Sequence, residues 1–221
     1  MGDYDDVKVS VIVRCRNEER YIGHCLQSLD DYLTTPEVIL LNDNSTDNSM
    51  RIANTFDWMN IKKINISSDE YLPGKSLNIG VQESSNSIII IFSAHCELVK
   101  FDWDETVSNL NDDGSIAVWG KQIPIWDGKR VTPRYIWSNF GDKLEFNYYC
   151  ESEKRYFLHN AFSIYWKRDL EKFPFDERLS GKEDRYWAND RIKEGYRVLY
   201  NPELVCKHNY TTEGATWKGV G

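Results

Sequence analysis

The run Ile88-Ile89-Ile90-Ile91-Phe92 narrows the available folds more than any other stretch of this chain. Four β-branched residues and a phenylalanine read as a strand buried on both faces, the usual centre of a parallel sheet covered by helices. The run stops at Ser93-Ala94-His95-Cys96-Glu97, a small polar cluster able to coordinate, hydrogen-bond or titrate. In open α/β sheets, ligands sit in the crevice beyond the carboxyl ends of the strands. That strand end is therefore the first place to look for chemistry.

The flanking sequence supports the same class. Val7–Val13 reads as a strand, and a helix follows from about Arg20 to Leu33 with Ile22, Cys25, Leu26 and Leu29 on one face. Glu37–Leu41 is a second strand, the segment to about Phe56 a second helix, and Ile61–Ile66 a third strand. Pro73-Gly74-Lys75 opens a helix carrying Leu77, Ile79, Gly80 and Val81. Strand and helix thus alternate up to Ile88, the pattern of a parallel sheet with crossover helices. A helix near Trp103–Leu110 and a strand at Ser115–Trp119 come next. Lys121 to about Arg155 then shows no clear period, and a segment of that length reads as a lid or binding loop. Tyr156–Trp166 predicts a strand, and a helix opening at Gly181-Lys182-Glu183-Asp184 runs to about Glu194. Arg197–Tyr200 and Leu204–Lys207 predict two short strands, with His208 after the second.

The whole of 1–221 fits one domain, with 1–100 as one half and 101–221 as the other. A net charge of −8 without a long basic run argues against nucleic acid or an anionic membrane as the main partner. An anionic ligand would need a local site of backbone N–H groups, a few Lys or Arg, or a metal ion. No stretch of about 18 apolar residues occurs, so no transmembrane segment is expected. The Met1-Gly2-Asp3-Tyr4-Asp5-Asp6 start is unlike a signal peptide. Five scattered cysteines without Cys-x-x-Cys spacing fit reduced thiols in a cytoplasm. The expected location is cytoplasmic, with room for peripheral contact at the inner face of a membrane.

Asp43, His95 with Glu97, Glu183-Asp184 and His208 all fall at expected strand ends or helix starts. Each has an ordinary structural explanation. Asp43-Asn44-Ser45-Thr46-Asp47 can be an Asx turn with a helix N-cap. Glu183-Asp184 can simply satisfy a helix dipole. Their common placement at the ligand-binding edge of an α/β sheet is what makes them candidates.

Four segments in order carry a family resemblance: Val9–Glu18, Asn42-Asp43-Asn44-Ser45-Thr46-Asp47, Gly74–Gly80 and Glu183-Asp184. Together they resemble family-2 glycosyltransferases with the GT-A fold, a nucleotide-diphospho-sugar transferase fold with a central, mostly parallel sheet flanked by helices. The resemblance spans nearly the whole chain. It implies that 1–100 holds the nucleotide and 101–221 the acceptor. By the same resemblance Asp43 binds the base, Arg14, Arg16 and Glu18 line that pocket, and Asn78 and Lys75 face the diphosphate. The chemistry is consistent, because a ring N–H wants a fixed carboxylate and a diphosphate wants cations or N–H donors.

The family usually carries Asp-x-Asp where this chain has Ser93-Ala94-His95. Ser-Ala-His-Cys-Glu is similar instead to the Asp-x-His segment of polypeptide N-acetylgalactosaminyltransferases, where that motif and a later His hold manganese. The likeness implies His95 and His208 as metal ligands, with Ser93 in place of the lost carboxylate. Neutral imidazole suits Mn²⁺ better than Mg²⁺, which prefers oxygen. Glu183-Asp184 matches the family's Glu-Asp motif, implying Asp184 as the general base that deprotonates the acceptor hydroxyl and Glu183 as its orienting partner.

The expected activity is transfer of a sugar from a nucleotide-sugar, a UDP-sugar by preference, to a hydroxyl of a saccharide or glycolipid acceptor in glycan or surface polysaccharide synthesis. The stereochemistry leans to inversion, though the manganese-binding relatives are retaining. The alternative, motivated by Ser93, is an inactive GT-A-like domain that binds nucleotide or carbohydrate. Trp126, Tyr135, Trp137, Phe140, Phe146, Tyr148 and Tyr149 could form a sugar-stacking platform, or half or more of them could close the core. His159-Asn160 falls where the family builds the floor of its acceptor site. The segment after Thr211 could be a lid over the donor or a linker.

Overall fold

The computed structural model describes residues 8–67, 71–111, 114–130 and 141–211. Its first half alternates as expected: β1 (Val9–Cys15), α1 (Ile22–Tyr32), β2 (Glu37–Asp43), α2 (Ser49–Ala53), β3 (Asn60–Ile66), α3 (Pro73–Glu83) and β4 (Ile88–Ser93). The strands β3-β2-β1-β4 lie side by side, all parallel. Successive strand residues point to opposite faces. Val9, Val11, Val13, Ile88, Ile90 and Phe92 pack with Ile22, Cys25, Leu26 and Leu29 of α1. Ile12, Ile89 and Ile91 pack with Leu77 and Val81 of α3 on the other side. Each such side chain, taken fully out of water, stabilises the fold by roughly 1.5–3 kcal/mol. Gly80 lets α3 come close to β1, since a Cβ there would lie 2.7 Å from Ile12 Cγ2.

The second half extends the same sheet. It comprises β5 (Cys96–Lys100), α4 (Trp103–Asn111), β6 (Ser115–Trp126), β7 (Lys129–Arg130), β8 (Glu145–Phe146), β9 (Tyr149–Cys150) and β10 (Arg155–Tyr156). After these come β11 (Phe162–Trp166), α5 (Lys167–Lys172), α6 (Glu183–Lys193) and β12 (Arg197–Asn209). The sheet order is β3-β2-β1-β4-β11-β6-β12-β5, with β11 antiparallel to both its neighbours and β12 parallel to β6. This is the α/β class with a central, mostly parallel sheet that the sequence predicts.

Several boundaries differ from the sequence reading. β6 continues to Trp126, into a stretch expected to lack regular structure. Tyr156 belongs to the short β9–β10 ribbon, and β11 begins only at Phe162. The two short C-terminal strands are one strand, β12, and His208 lies inside it. Its register with β6 shifts between Asn201 and Val205, which accommodates Pro202, a residue with no N–H to give a ladder. β5 was not anticipated; the chain turns at Ala94-His95 and crosses to pair with β12. All five cysteines are free and buried. No helix among the described residues is long and apolar enough to cross a membrane.

Candidate active site

Because β1, β2 and β4 are parallel, Arg14, Asp43 and Ser93 come to the same edge of the sheet. Asp43 is only 2% exposed, and the Arg16 guanidinium donates to its Oδ2 at 3.0 Å. Its Oδ1 is buried and has no hydrogen-bond partner among the described residues. A buried carboxylate oxygen left unpaired is costly, and a ligand N–H directed at it would remove that cost. Asn17 and Asn44, both at positive φ, shape the loops on either side. Asn17 Oδ1 accepts from the Thr46 N–H at 2.8 Å, tying the end of β1 to the end of β2.

Two residues expected beside the base have other partners. Glu18 Oε1 sits 2.9 Å from His95 Nδ1, and Arg14 Nη1 donates to Glu183 Oε1 at 2.9 Å. Arg14 thereby joins the end of β1 to the start of α6. Asn78, expected to face a diphosphate, instead brackets Phe175: its Nδ2 donates to the Phe175 carbonyl at 2.9 Å and its Oδ1 accepts the Phe175 N–H at 3.0 Å. A carboxamide engaged at both ends is a structural clamp. Lys75 lies half-buried in the first turn of α3.

His95 and His208 meet. Their Nε2 atoms are 3.0 Å apart with the rings nearly parallel. Glu18 is acceptor-only when ionised, so His95 Nδ1 carries the proton facing it and Nε2 is bare. His208 Nδ1 lies 2.7 Å from Gln122 Oε1, an acceptor, so its Nε2 is bare as well. Two lone pairs directed at each other cannot form a hydrogen bond while both rings are neutral. Burial, with His95 and His159 adding to it, pushes His208 well below the usual imidazole range, which disfavours a bridging proton. A cation between the two nitrogens resolves the conflict, and imidazole is the donor type that a borderline metal takes. The residues present therefore fit a divalent metal, although among the described residues no group of three or more His, Cys, Asp or Glu converges as a complete set. Remaining positions would fall to ligand oxygens or water.

Glu183 and Asp184 occupy the first turn of α6, both buried. Asp184 Oδ2 accepts the Asn160 N–H at 2.9 Å and its Oδ1 accepts the Arg185 N–H at 2.8 Å. Burial pushes Asp184 up, but Arg185, His159 and these N–H donors outweigh it and hold the carboxyl below its usual value. Glu183 goes the other way: burial raises it, and the Arg14 guanidinium pulls against that rise. Burial works against the Arg14 charge, but the phenol of Tyr71 and the carboxyl of Glu183 outweigh it and hold the guanidinium protonated more firmly than usual. Asn160 is buried, its Oδ1 accepting from the Ser163 and Tyr165 hydroxyls, while its Nδ2 has no partner among the described residues.

Gln122 was missed by sequence reasoning. It lies where regular structure was not expected, and a lone Gln gives no signal. Of the aromatic platform, Tyr148 packs against Trp119 and Phe157 in the core, and Phe146 lies under Arg197. Tyr149 stacks edge-on against Tyr156. Trp126, 40% exposed, lines a cleft of about 340 Å³ with Glu18, Arg20, Tyr21 and Tyr210. Tyr135, Trp137, Phe140 and the segment after Thr211 lie outside the described residues.

His159 is pushed down to about 3 by burial, which Asp184 opposes and Arg185, Arg14 and His95 reinforce. Between that value and the ordinary 6.5 the unfolded chain holds a proton that the folded one lacks. Stability is fully present above pH 6.5 and falls as the pH drops toward 3, by up to about 1.4 kcal/mol per pH unit for one such group. His208 adds in the same direction. Urea unfolding at pH 7.5 and pH 4.5 should show this loss, and His159→Gln should shrink it. An equal loss in the variant would remove His159 as the source.

The Glycosyl transferase family 2 model matches residues 10–173. The chain is 26% identical over 217 residues to the O-antigen chain rhamnosyltransferase RfbN of Salmonella typhimurium, covering 93% of this chain and 68% of that one. Among solved structures it is similar to S. aureus TarS in complex with UDP-GlcNAc, with a TM-score of 0.70 at 20% identity, covering 96% of this chain and 61% of that one. It also superposes on GalNAc-T7 with UDP, GalNAc and Mn²⁺, with a TM-score of 0.71 at 16% identity, covering 94% of this chain and 45% of that one. The chain spans between about half and two thirds of these longer proteins. At these identities the two structures speak for the fold, which is that of GT-A glycosyltransferases.

Proposed function

The chain belongs to glycosyltransferase family 2, and from that premise we propose that it transfers a sugar from a UDP-sugar to a hydroxyl of a saccharide acceptor, with inversion, in polysaccharide synthesis. The observation that carries the reading is the placement along one sheet edge of Asp43 with a free acceptor oxygen, the paired nitrogens of His95 and His208, and Asp184. In this reading Asp43 Oδ1 accepts a ring N–H of the base, and Arg16 holds that carboxylate in place. Lys75, at the start of α3, supplies positive charge for the diphosphate. Ser93, with no charge to offer, meets the diphosphate only through its hydroxyl or water.

His95 and His208 would hold the divalent cation, Mn²⁺ in preference to Mg²⁺, which supplies charge neutralisation at the departing diphosphate. Glu18 orients His95 through its Nδ1–H, the outer partner that metal-bound imidazoles usually have. Asp184, ionised and fixed by two backbone N–H groups, keeps further lone pairs to receive the acceptor proton. As the acceptor oxygen bonds to the anomeric carbon, that carbon's bond to the phosphate oxygen breaks. The proton passes to Asp184 and the electron pair leaves with UDP. The cleft at Trp126 offers an aromatic face for sugar C–H groups.

A thermal-shift titration with UDP and UDP-sugars, with and without Mn²⁺, tests the donor site. A ligand at a hundredfold excess over its dissociation constant should stabilise the fold by about 2.7 kcal/mol. Asp43→Ala should remove the nucleotide response, and His95→Ala should remove its dependence on Mn²⁺. If no nucleotide raises the melting temperature, the donor site is misassigned. Nucleotide binding without sugar transfer over a panel of donors and acceptors would favour the inactive, binding-only reading that Ser93 motivates.

A further inference from the structure

His208 can present a bare Nε2 to His95 only if Gln122 turns its oxygen, not its nitrogen, toward His208 Nδ1. Isolated, the Gln122 carboxamide could adopt either orientation. What fixes it lies on its other side. Gln122 Nε2 is 2.9 Å from His159 Nδ1, and the same His159 Nδ1 faces the Ala161 N–H at 3.2 Å. A backbone N–H can only donate, so His159 Nδ1 is an acceptor and its ring proton is on Nε2. The Gln122 group facing it must then be the NH₂, which leaves Oε1 for His208. Gln122 is itself buried and sits in the middle of β6, so its backbone does not move to suit either ring.

We propose that Gln122 is a positioning residue that locks the tautomers of His159 and His208 together and so keeps the His208 Nε2 lone pair directed at His95. Its relevance to a cation rests on the reading above that His95 and His208 hold one; the tautomer lock itself does not. The chain of constraint begins at one turn. The Ala161 N–H sets His159, His159 sets Gln122, and Gln122 sets His208, while the adjacent Asn160 N–H holds Asp184. The Ala161 carbonyl also receives the Ser93 N–H at 3.2 Å. Residues 159–161 therefore align the imidazole pair and the carboxylate against one reference.

The test uses the full chain with ¹⁵N-labelled histidine. In the metal-free wild type, His208 should show the Nδ1–H tautomer and His159 the Nε2–H tautomer. Gln122→Met, which offers neither group, should relax His208 to a mixture and weaken Mn²⁺ binding, followed by the electron spin resonance of the free ion, by about 10–100-fold. Gln122→Glu still accepts from His208 Nδ1–H and should restore Mn²⁺ affinity to within a few-fold, while the His159 tautomer changes because an acceptor-only oxygen now faces its Nδ1 and favours a proton there against the Ala161 N–H. A wild-type His208 protonated on Nε2 overturns the proposal, whether or not either variant folds. So does a folded Gln122→Met protein with wild-type tautomers and Mn²⁺ affinity. If the wild type binds no Mn²⁺, the metal reading falls separately, and the nitrogen shifts alone then support or overturn the lock.

Discussion

Asp184→Asn is expected to slow sugar transfer by about 10²–10⁴-fold while leaving UDP affinity within a few-fold. The carboxylate is held at two points by N–H donors from Asn160 and Arg185, so its position does not depend on a bound ligand. Asparagine keeps the shape and one acceptor oxygen but cannot take up a proton. Its amide nitrogen would face one of the two N–H donors, a local cost that a melting curve would reveal. The measurement is kcat for UDP release in the presence of acceptor, beside a UDP titration on the same sample. An Asn variant with near wild-type kcat would mean that the proton goes elsewhere. Glu183 would then be the next carboxylate to test, since burial raises its proton affinity.

Arg14→Met is expected to cost about 3 kcal/mol of folding stability at neutral pH, at the low end for breaking a buried pair because Arg14 keeps 23% of its side chain exposed. The loss is large because Glu183 would remain, 5% exposed, with its countercharge removed. Two consequences separate this cause from simple loss of packing. Adding Glu183→Gln to Arg14→Met should recover much of the stability, as the stranded charge is then gone. The cost should also shrink as the pH falls, because Glu183 freed of Arg14 takes up a proton more readily and its buried charge disappears. Denaturant unfolding of the two single variants and the double variant checks both. Stability of Arg14→Met equal to that of the wild type would show that the pair contributes nothing.

The parts of the fold legible in the sequence are those whose periodicity is complete within one element. The isoleucine run of β4 and the apolar stripe of α1 carry their own assignment, since both faces or one whole face are apolar. β12 and β6 were read too short because Pro202 and the polar residues beyond Trp119 break the local pattern. Their continuity comes from pairing with each other, which no single segment encodes. The site divides the same way. Residue types at strand ends and helix starts singled out Asp43, His95, His208 and Asp184, and Arg16 does meet Asp43. The partners of Glu18 and Arg14 were not readable. Glu18 reaches His95 across 77 positions and Arg14 reaches Glu183 across 169, and nothing in the short motif Arg14–Glu18 says which neighbour each side chain will face. Gln122 is the extreme case, since its importance is entirely a matter of which two rings it lies between.

The place of β12 in the sheet has a consequence for the order in which the molecule assembles. Among the described residues β5 pairs with β12 alone, and β12, the last of the strands they form, is inserted between β6 and β5. The β3-β2-β1-β4 half can form from its own contiguous segments, whereas β5, which directly follows His95, must wait for a partner about a hundred residues downstream. Contacts of such sequence separation form late. A chain emerging during synthesis would therefore have a structured β3-β2-β1-β4 half well before the two imidazoles meet. The His95–His208 contact thus also marks that the sheet is complete.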